Sequence, residues 1–346
     1  MLANRDRVSA SAGRDCYEIS MRRVLLSLSL LVSSLACGSE RPPISEVPKH
    51  TPGPNPFLGH KLFVDPSMHA VKQAEAWRAQ RPDDAALIDK IATQPQAEWL
   101  GEWSGAVKLF VRSKMKQYAE VDAMGLFIVY NIPDRDCGQH SKGGAKNGDA
   151  YLEWIGKIAD GVDDAPAVMV LEPDALSLLE KCTVPSKHAE RYKLLADAIR
   201  IFKSHPNIHV YLDAGNARWL PPERIAKHLN AAGIDYADGF SLNVSNYVAT
   251  DETVAFGKKV SALVGGAHFV IDTARNGNGA APGNEWCNPD GRALGIPPTT
   301  DTYEPLCDAF LWLKRPGESD GACNGGPRAG EWWPAQALGL ARRAKY

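Results

Sequence analysis

Ala167-Val168-Met169-Val170-Leu171-Glu172-Pro173-Asp174 is a short apolar run that breaks off into two carboxylates around a proline. Five uniformly apolar residues read as a strand buried on both faces, the habit of parallel sheets. Working outward, similar runs lie at 61–64, 125–132, 208–212, 239–244, 268–271 and 309–313. Amphipathic stretches of helical period separate them at 106–124, 151–161, 187–203, 222–232 and 252–264, with a last one at 334–344. Strand–helix alternation over roughly 290 residues predicts an α/β domain, either a parallel barrel or a doubly wound sheet. The size and the number of repeats favour the barrel.

Polar residues cluster where each apolar run ends. After the second run come Tyr130-Asn131-Ile132-Pro133-Asp134-Arg135-Asp136, and later Asp213-Ala214-Gly215-Asn216 and Asn243-Val244-Ser245-Asn246-Tyr247. Asp272-Thr273-Ala274-Arg275-Asn276 and Lys314-Arg315-Pro316-Gly317-Glu318-Ser319-Asp320 complete the series. Taken one at a time, such Asp and Asn residues cap helices or shape turns. In a barrel, six clusters at six successive strand ends converge on one face, the face on which active sites are built.

Composition narrows the classes. Of 346 residues, 44% are hydrophobic and 23% charged, ordinary for a soluble globular domain. The net charge of −2 gives no electrostatic case for nucleic acid or an anionic membrane surface. Residues 1–20 fit neither a core nor a signal. Met21-Arg22-Arg23 then precedes the apolar run 24–35 and Ala36-Cys37-Gly38-Ser39, in the form of a secretory signal too short to span a membrane. Met21 is therefore read as the start, 1–36 as an extension and signal, 37–56 as a Pro-rich tether, and 57–346 as one barrel domain. Cys37 after Ala36 fits a bacterial lipoprotein site with a lipid anchor, and Ser34-Leu35-Ala36 fits ordinary signal peptidase. Either predicts an exported protein, secreted or held as an outer-membrane or periplasmic lipoprotein, and the chain is read as a monomer. Export makes disulfides expected. Cys137, Cys182, Cys287, Cys307 and Cys323 allow two bridges and one free thiol, and no pair has zinc-ligand spacing.

Asp136, Asp174, Asp213, Asp320 and Glu318 should meet in one cleft. No HExxH or glycine-rich phosphate loop accompanies them, so no metal or other cofactor is called for. A carboxylate-rich cleft with Trp nearby is what glycoside hydrolysis needs. One carboxylic acid protonates the leaving oxygen while a carboxylate activates water on the opposite face. Crowding of like charges keeps one member protonated, and Trp faces stack on sugar rings.

The segments YNIPDRDC, VLEPDAL, YLDAGNARWL, GFSLNVSNY, IDTARNG, EWCNPDGRALG, DAFLWLKRPGESDGAC and AGEWWPAQAL together resemble glycoside hydrolase family 6, over about residues 55–346. That family holds inverting cellulases, both endoglucanases and cellobiohydrolases. The resemblance implies a distorted, TIM-like parallel (β/α) barrel of about seven strands. It makes Asp174 the general acid, Asp136 a residue that tunes the acid, and Asp320 the candidate base, directly or through a water chain. Tyr130 matches a tyrosine that promotes ring distortion, and Ser141 a loop serine holding the nucleophilic water. Substrate contacts are implied for Lys314 and Glu318 (hydroxyls), for Trp99, Trp219 and Trp286 (stacking), and for Asn243. Asp213 resembles a buried Asp that supports this network or touches substrate. Cys137–Cys182 and Cys287–Cys323 resemble the family's loop-closing bridges, leaving Cys307 free.

Plainer readings stand beside these. Asp136 next to Arg135 also fits a structural ion pair, and Trp103, Trp332 and Trp333 read as packing. Asn216 stands where many members carry His, and Pro221-Pro222 stand where some carry a second Trp, which implies a weaker distal subsite. The stretches 137–182 and 320–332 are short, so the cleft should be open. The expected activity is endo-acting, inverting hydrolysis of β-1,4-glucan. The alternatives are an exo-acting cellobiohydrolase and a non-catalytic glycan-binding protein on the same scaffold.

Overall fold

The computed structural model describes residues 43–51 and 53–346; the signal at 1–36 and Cys37 lie outside them. The elements run β1 (Lys61–Leu62), α1 (His69–Trp77), α2 (Pro82–Ala92), β2 (Glu98–Leu100), α3 (Val107–Ala119) and β3 (Ala123–Val129). Then come α4 (Gly148–Val162), β4 (Ala167–Leu171), α5 (Leu179–Cys182), α6 (His188–Lys203), β5 (Ile208–Asp213) and α7 (Pro222–Ala231). The chain closes with β6 (Gly239–Leu242), α8 (Thr250–Leu263), β7 (His268–Asp272), β8 (Cys307–Leu311) and α9 (Pro334–Arg342).

Every strand pairs in parallel, in the order β1-β3-β4-β5-β6-β7-β8, with β2 also on β3. β1 takes the start of β3 at Ala123 and Met124, and β2 takes its end at Phe127 to Val129. The two short strands thus make one interrupted edge, which leaves seven positions around a curled sheet. This is the distorted α/β barrel. Its central strands β3 and β4 are apolar throughout because both faces are covered, while His209, Ser241, His268 and Asp308 interrupt β5 to β8. Leu126, Ile128, Val168, Val170, Tyr211 and Leu311 fill the interior. Phe127, Val129, Met169, Leu171 and Phe240 face the helices.

The barrel does not close by a ladder. Between β2 and β8 the Ala97 N–H donates to the Trp312 carbonyl at 3.1 Å, and Arg315 Nε donates to the Ala97 carbonyl at 3.1 Å. The Trp99 indole adds a bond to the Leu313 carbonyl at 2.9 Å. These bonds fall just past the end of β8.

The sequence assigned no element between residues 64 and 106, where α1, α2 and β2 lie. It also ran the next helix through 124, whereas α3 ends at Ala119 and Met124 belongs to β3. Part of the segment read as a tether is packed: Val47 is buried, and Asn55 Nδ2 donates to the Asp308 carbonyl. Among the described residues no helix is long and apolar enough to cross a membrane.

Candidate active site

The strand ends turn sharply into the cleft, and several non-glycine residues adopt the left-handed region to do so. They include Asp136 (φ 58°), Glu172 (φ 51°), Asp174 (φ 72°), Asn243 (φ 68°) and Ser245 (φ 59°). Such backbone is strained and persists only where neighbours hold it. Three buried carboxylates do the holding. Glu172 accepts from the N–H groups of Asn131 (3.0 Å) and Ile132 (3.0 Å), tying the end of β3 to β4. Asp213 accepts from the N–H groups of Asp174 (3.0 Å) and Gly215 (2.9 Å) and from the Ser241 hydroxyl (3.1 Å). Asp272 accepts from the N–H groups of Ala274, Ser245 and Lys314, joining the ends of β6, β7 and β8.

In front of this layer lies a cleft of about 690 Å³. Tyr130, Asp136, Ser141, Asp174, Lys314, Glu318 and Asp320 line it, together with Trp99, Trp219 and Trp286. Ten of the sequence-derived residues therefore meet on one face. Asp213 and Asn243 do not. Asp213 is buried behind Asp174 and reaches the cleft only through that residue's N–H. Asn243 is fully buried, its Nδ2 donating to the carbonyls of Val248 and Asp272 and its Oδ1 accepting from Val248 N–H. Its expected sugar contact is corrected to a loop-holding role.

The cleft carboxylates differ in ionisation. Burial pushes the Asp174 carboxyl well above its ordinary value, and the charges of Asp213 and Asp136 push it further; a Tyr130 hydrogen bond opposes them weakly. Asp136 is also raised, chiefly by burial, although its Oδ2 accepts from Ser141 N–H at 2.6 Å. Asp320 goes the other way. Burial would raise it, but the Arg275 guanidinium, at 3.0 and 2.9 Å, and the Lys314 ammonium, at 3.7 Å, hold it below the usual range. Tyr247 OH and the Asn288 N–H also donate to it, at 2.9 and 3.0 Å. The cleft thus favours the protonated form of Asp174 and the ionised form of Asp320, the division of labour that acid–base chemistry requires.

Arg135 does not pair with Asp136. Its guanidinium bonds Glu102 (2.6 and 2.9 Å) and the carbonyls of Tyr130 and Ser141, which pins the loop that presents Asp136. Cys137 and Cys182 are bonded beside it, as are Cys287 and Cys323 in the facing loop, and Cys307 is free and buried in β8. His140 lies near the sulfurs of Cys287 and Cys323, but a bonded sulfur pair offers no thiolate to a metal. Gly215, at φ 70°, sits where any Cβ would strike Ser177, which allows Trp219 to pack beside the Asp174 turn. Asn216 is buried outside the cleft, its Oδ1 accepting from Arg218 N–H.

Residues 57–344 match the family model described as glycosyl hydrolases family 6. The chain belongs to glycosyl hydrolases family 6. It is 42% identical over 295 residues to Endoglucanase A of Cellulomonas fimi, an alignment covering 85% of this chain and 63% of that relative. It therefore spans less than two thirds of that relative's length. Endoglucanase 1 of Streptomyces halstedii is 39% identical, with 84% of this chain and 91% of the relative covered. The structure of endoglucanase Cel6 from Mycobacterium tuberculosis in complex with methyl-cellobiosyl-4-deoxy-4-thio-β-D-cellobioside superposes with a TM-score of 0.79. That pair is 41% identical, covering 84% of this chain and 99% of the other.

Some residues of the site carry no local signal of their role in the sequence. Arg275 and Tyr247, which hold Asp320, lie in quoted motifs, but nothing local announces a partner 45 or 73 residues away. Trp103, a packing residue by its sequence, instead lines the cleft, 55% exposed, with the Arg135 guanidinium 5.0 Å from its ring.

Proposed function

We propose that this family 6 chain hydrolyses internal β-1,4-glucosidic bonds of cellulose or a related β-glucan, with inversion. The opposed ionisation of Asp174 and Asp320 across one Trp-lined cleft carries the reading. Asp174 gives its proton to the leaving oxygen. Asp320, directly or through water held near Ser141, draws the proton from the attacking water. Tyr130 sits against Asp174 and confines the reacting ring, while Asp136 keeps the acid's proton on by its charge. Inversion requires space for a water between base and sugar.

Internal cleavage is supported by the relatives' names; the cleft, expected to be open, is partly covered. The two disulfide-closed loops touch where the His140 ring lies over Gly321, with its centroid 6.0 Å from that of Trp286. Among the described residues no hydrogen bond or ion pair joins those loops, so the cover is thin. Hydrolysis of carboxymethylcellulose by wild type and Asp174→Asn tests the reading, with the fresh product's anomer read by NMR. The Asn variant should lose at least about a thousandfold in kcat, as expected for loss of an essential proton donor. A fully active variant or a β-anomeric product sinks the mechanism, and cellobiose released only from chain ends sinks the endo assignment.

Export is part of the proposal, resting on residues 21–39 of the sequence. Fractionation of cells expressing wild type and Cys37→Ala separates a lipid-anchored form from a freely secreted one, and gel filtration of the secreted form tests the monomer.

A further inference from the structure

The cleft does not end at Glu318. It runs into a second hollow, of about 250 Å³, that shares His69, Glu98, Arg315 and Glu318 with it. This hollow occupies the unpaired seam of the barrel. Gln96 and Glu98 line it from the β2 side, Arg315 and Glu318 from beyond β8, and Ser67 with His69 from the start of α1. β2 and β8 are joined by scattered bonds and not by a ladder, and the hollow beside them continues the cleft as a trough.

The chemistry of the trough selects its occupant. Its strong charges are already spent on each other: Lys114 Nζ lies 2.7 Å from Asp65 and 2.9 Å from Glu98, and Arg315 lies 3.0 Å from Glu98. Such a neutralised network gives an ionic ligand little advantage. Glu318 is different, with longer approaches to Arg315 (3.7 Å) and His69 (3.9 Å), so its oxygens can still accept hydroxyl donors. The His69 and Trp332 rings stack at 6.1 Å and 23°, and make a flat wall. A flat wall beside planar, fixed carboxylate and guanidinium edges suits a pyranose, which stacks one C–H face and offers vicinal hydroxyls.

We propose that this hollow is an additional glucosyl subsite, taking the ring next along the chain from the one held by Trp99, Lys314 and Glu318. The inference rests on the β-glucan reading above. A cleft with this extension gains binding energy from longer oligomers, and sets which bond falls between Asp174 and Asp320.

The test is kcat/KM and product pattern for the full chain on cellotriose through cellohexaose. Ser67→Trp plugs the hollow from its exposed rim, and His69→Ala removes half of the flat wall. In wild type, specificity should rise with each added ring until the hollow is filled. The plug should abolish the step contributed by the hollow, a loss of about five- to tenfold on the longer oligomers for one stacked, hydrogen-bonded ring. The shortest oligomer cleaved should stay within about twofold of wild type and report that the variant is folded. His69→Ala should lower the long-to-short ratio in the same direction, and decides the matter if Ser67→Trp does not fold. Equal rate loss at every length, or unchanged product patterns in both variants, overturns the subsite and leaves the β-glucan reading intact. A wild-type chain that cleaves no oligomer overturns both.

Discussion

Asp213 acts on the reaction at one remove. It holds the Asp174 N–H at 3.0 Å, and its charge helps keep the Asp174 proton in place. Burial pushes Asp213 itself up to about 6, opposed by hydrogen bonds from the N–H groups of Asp174 and Gly215 and from Ser241. Above that pH it is charged, and below it is neutral. Asp213→Asn keeps an oxygen for the same N–H groups but removes the charge. The Asp174 pKa then falls, so the alkaline limb of the pH–rate profile, where the acid loses its proton, moves to lower pH. Below about pH 6, where wild-type Asp213 is neutral too, the two profiles should converge. The acid limb belongs to Asp320, held low by Arg275 and Lys314 against its burial, and should not move. A pH–rate profile of the variant with an unmoved alkaline limb would show that Asp213 is only a scaffold.

At the scale of elements, the Asp136 loop stands on α5. This four-residue helix carries Cys182, bonded to Cys137 across a sequence separation of 45. A bridge closing a loop of that length stabilises by about 2–4 kcal/mol, largely by restricting the unfolded chain. Cys137→Ser with Cys182→Ser should cost that much in urea unfolding. It should also lower kcat, because Asp136 and Ser141 lose their common anchor; unchanged stability and rate would mean that Arg135 alone pins the loop. How far such elements could be read from the chain follows from local physics. β4, β5 and β7 were legible to within a residue because burial on both faces makes their runs mostly apolar, with His209 and His268 the half-buried exceptions. β2 was not, since Glu98-Trp99-Leu100 is too short for any period and exists by its register on β3. α2 did carry a signal, with Pro82 at its first turn, Asp83 and Asp84 behind it, and Ile88 and Ile91 on the buried face. α3 overran because its helical pattern continues past Ala119, while the turn is made by Asp122 at φ 54°. The cleft carboxylates were legible because they lie in the segments that follow strands. Asn243 follows a strand too, but its amide turns inward to two carbonyls, and composition does not record which way a side chain turns.

The whole molecule divides its carboxylates between its two ends. At the cleft end, burial lifts Asp174, Asp136 and Asp213 toward neutrality, which for Asp174 favours catalysis and for all three weakens the fold as pH rises past their unfolded values. At the opposite end, Asp238 does the reverse. Its burial is outweighed by His209 Nδ1 at 2.8 Å and Lys203 Nζ at 2.8 Å, which bring it down to about 2. The same carboxylate accepts from Val210 N–H, and His50 of the N-terminal segment lies 3.8 Å away, so it joins β5, α6 and that segment to the barrel base. A folded value below the ordinary 3.8 means stability that is complete above the unfolded pKa and lost as pH falls toward about 2. A difference of almost two units corresponds to about 2 kcal/mol. Asp238→Asn should therefore unfold in less urea near neutral pH by that amount, and the gap to wild type should close as pH falls from about 4 to about 2. A gap that stays constant down to the lowest pH would assign the loss to packing and hydrogen bonds. A gap that closes would show that the barrel base supplies acid-sensitive stability opposing the cost of a protonated cleft.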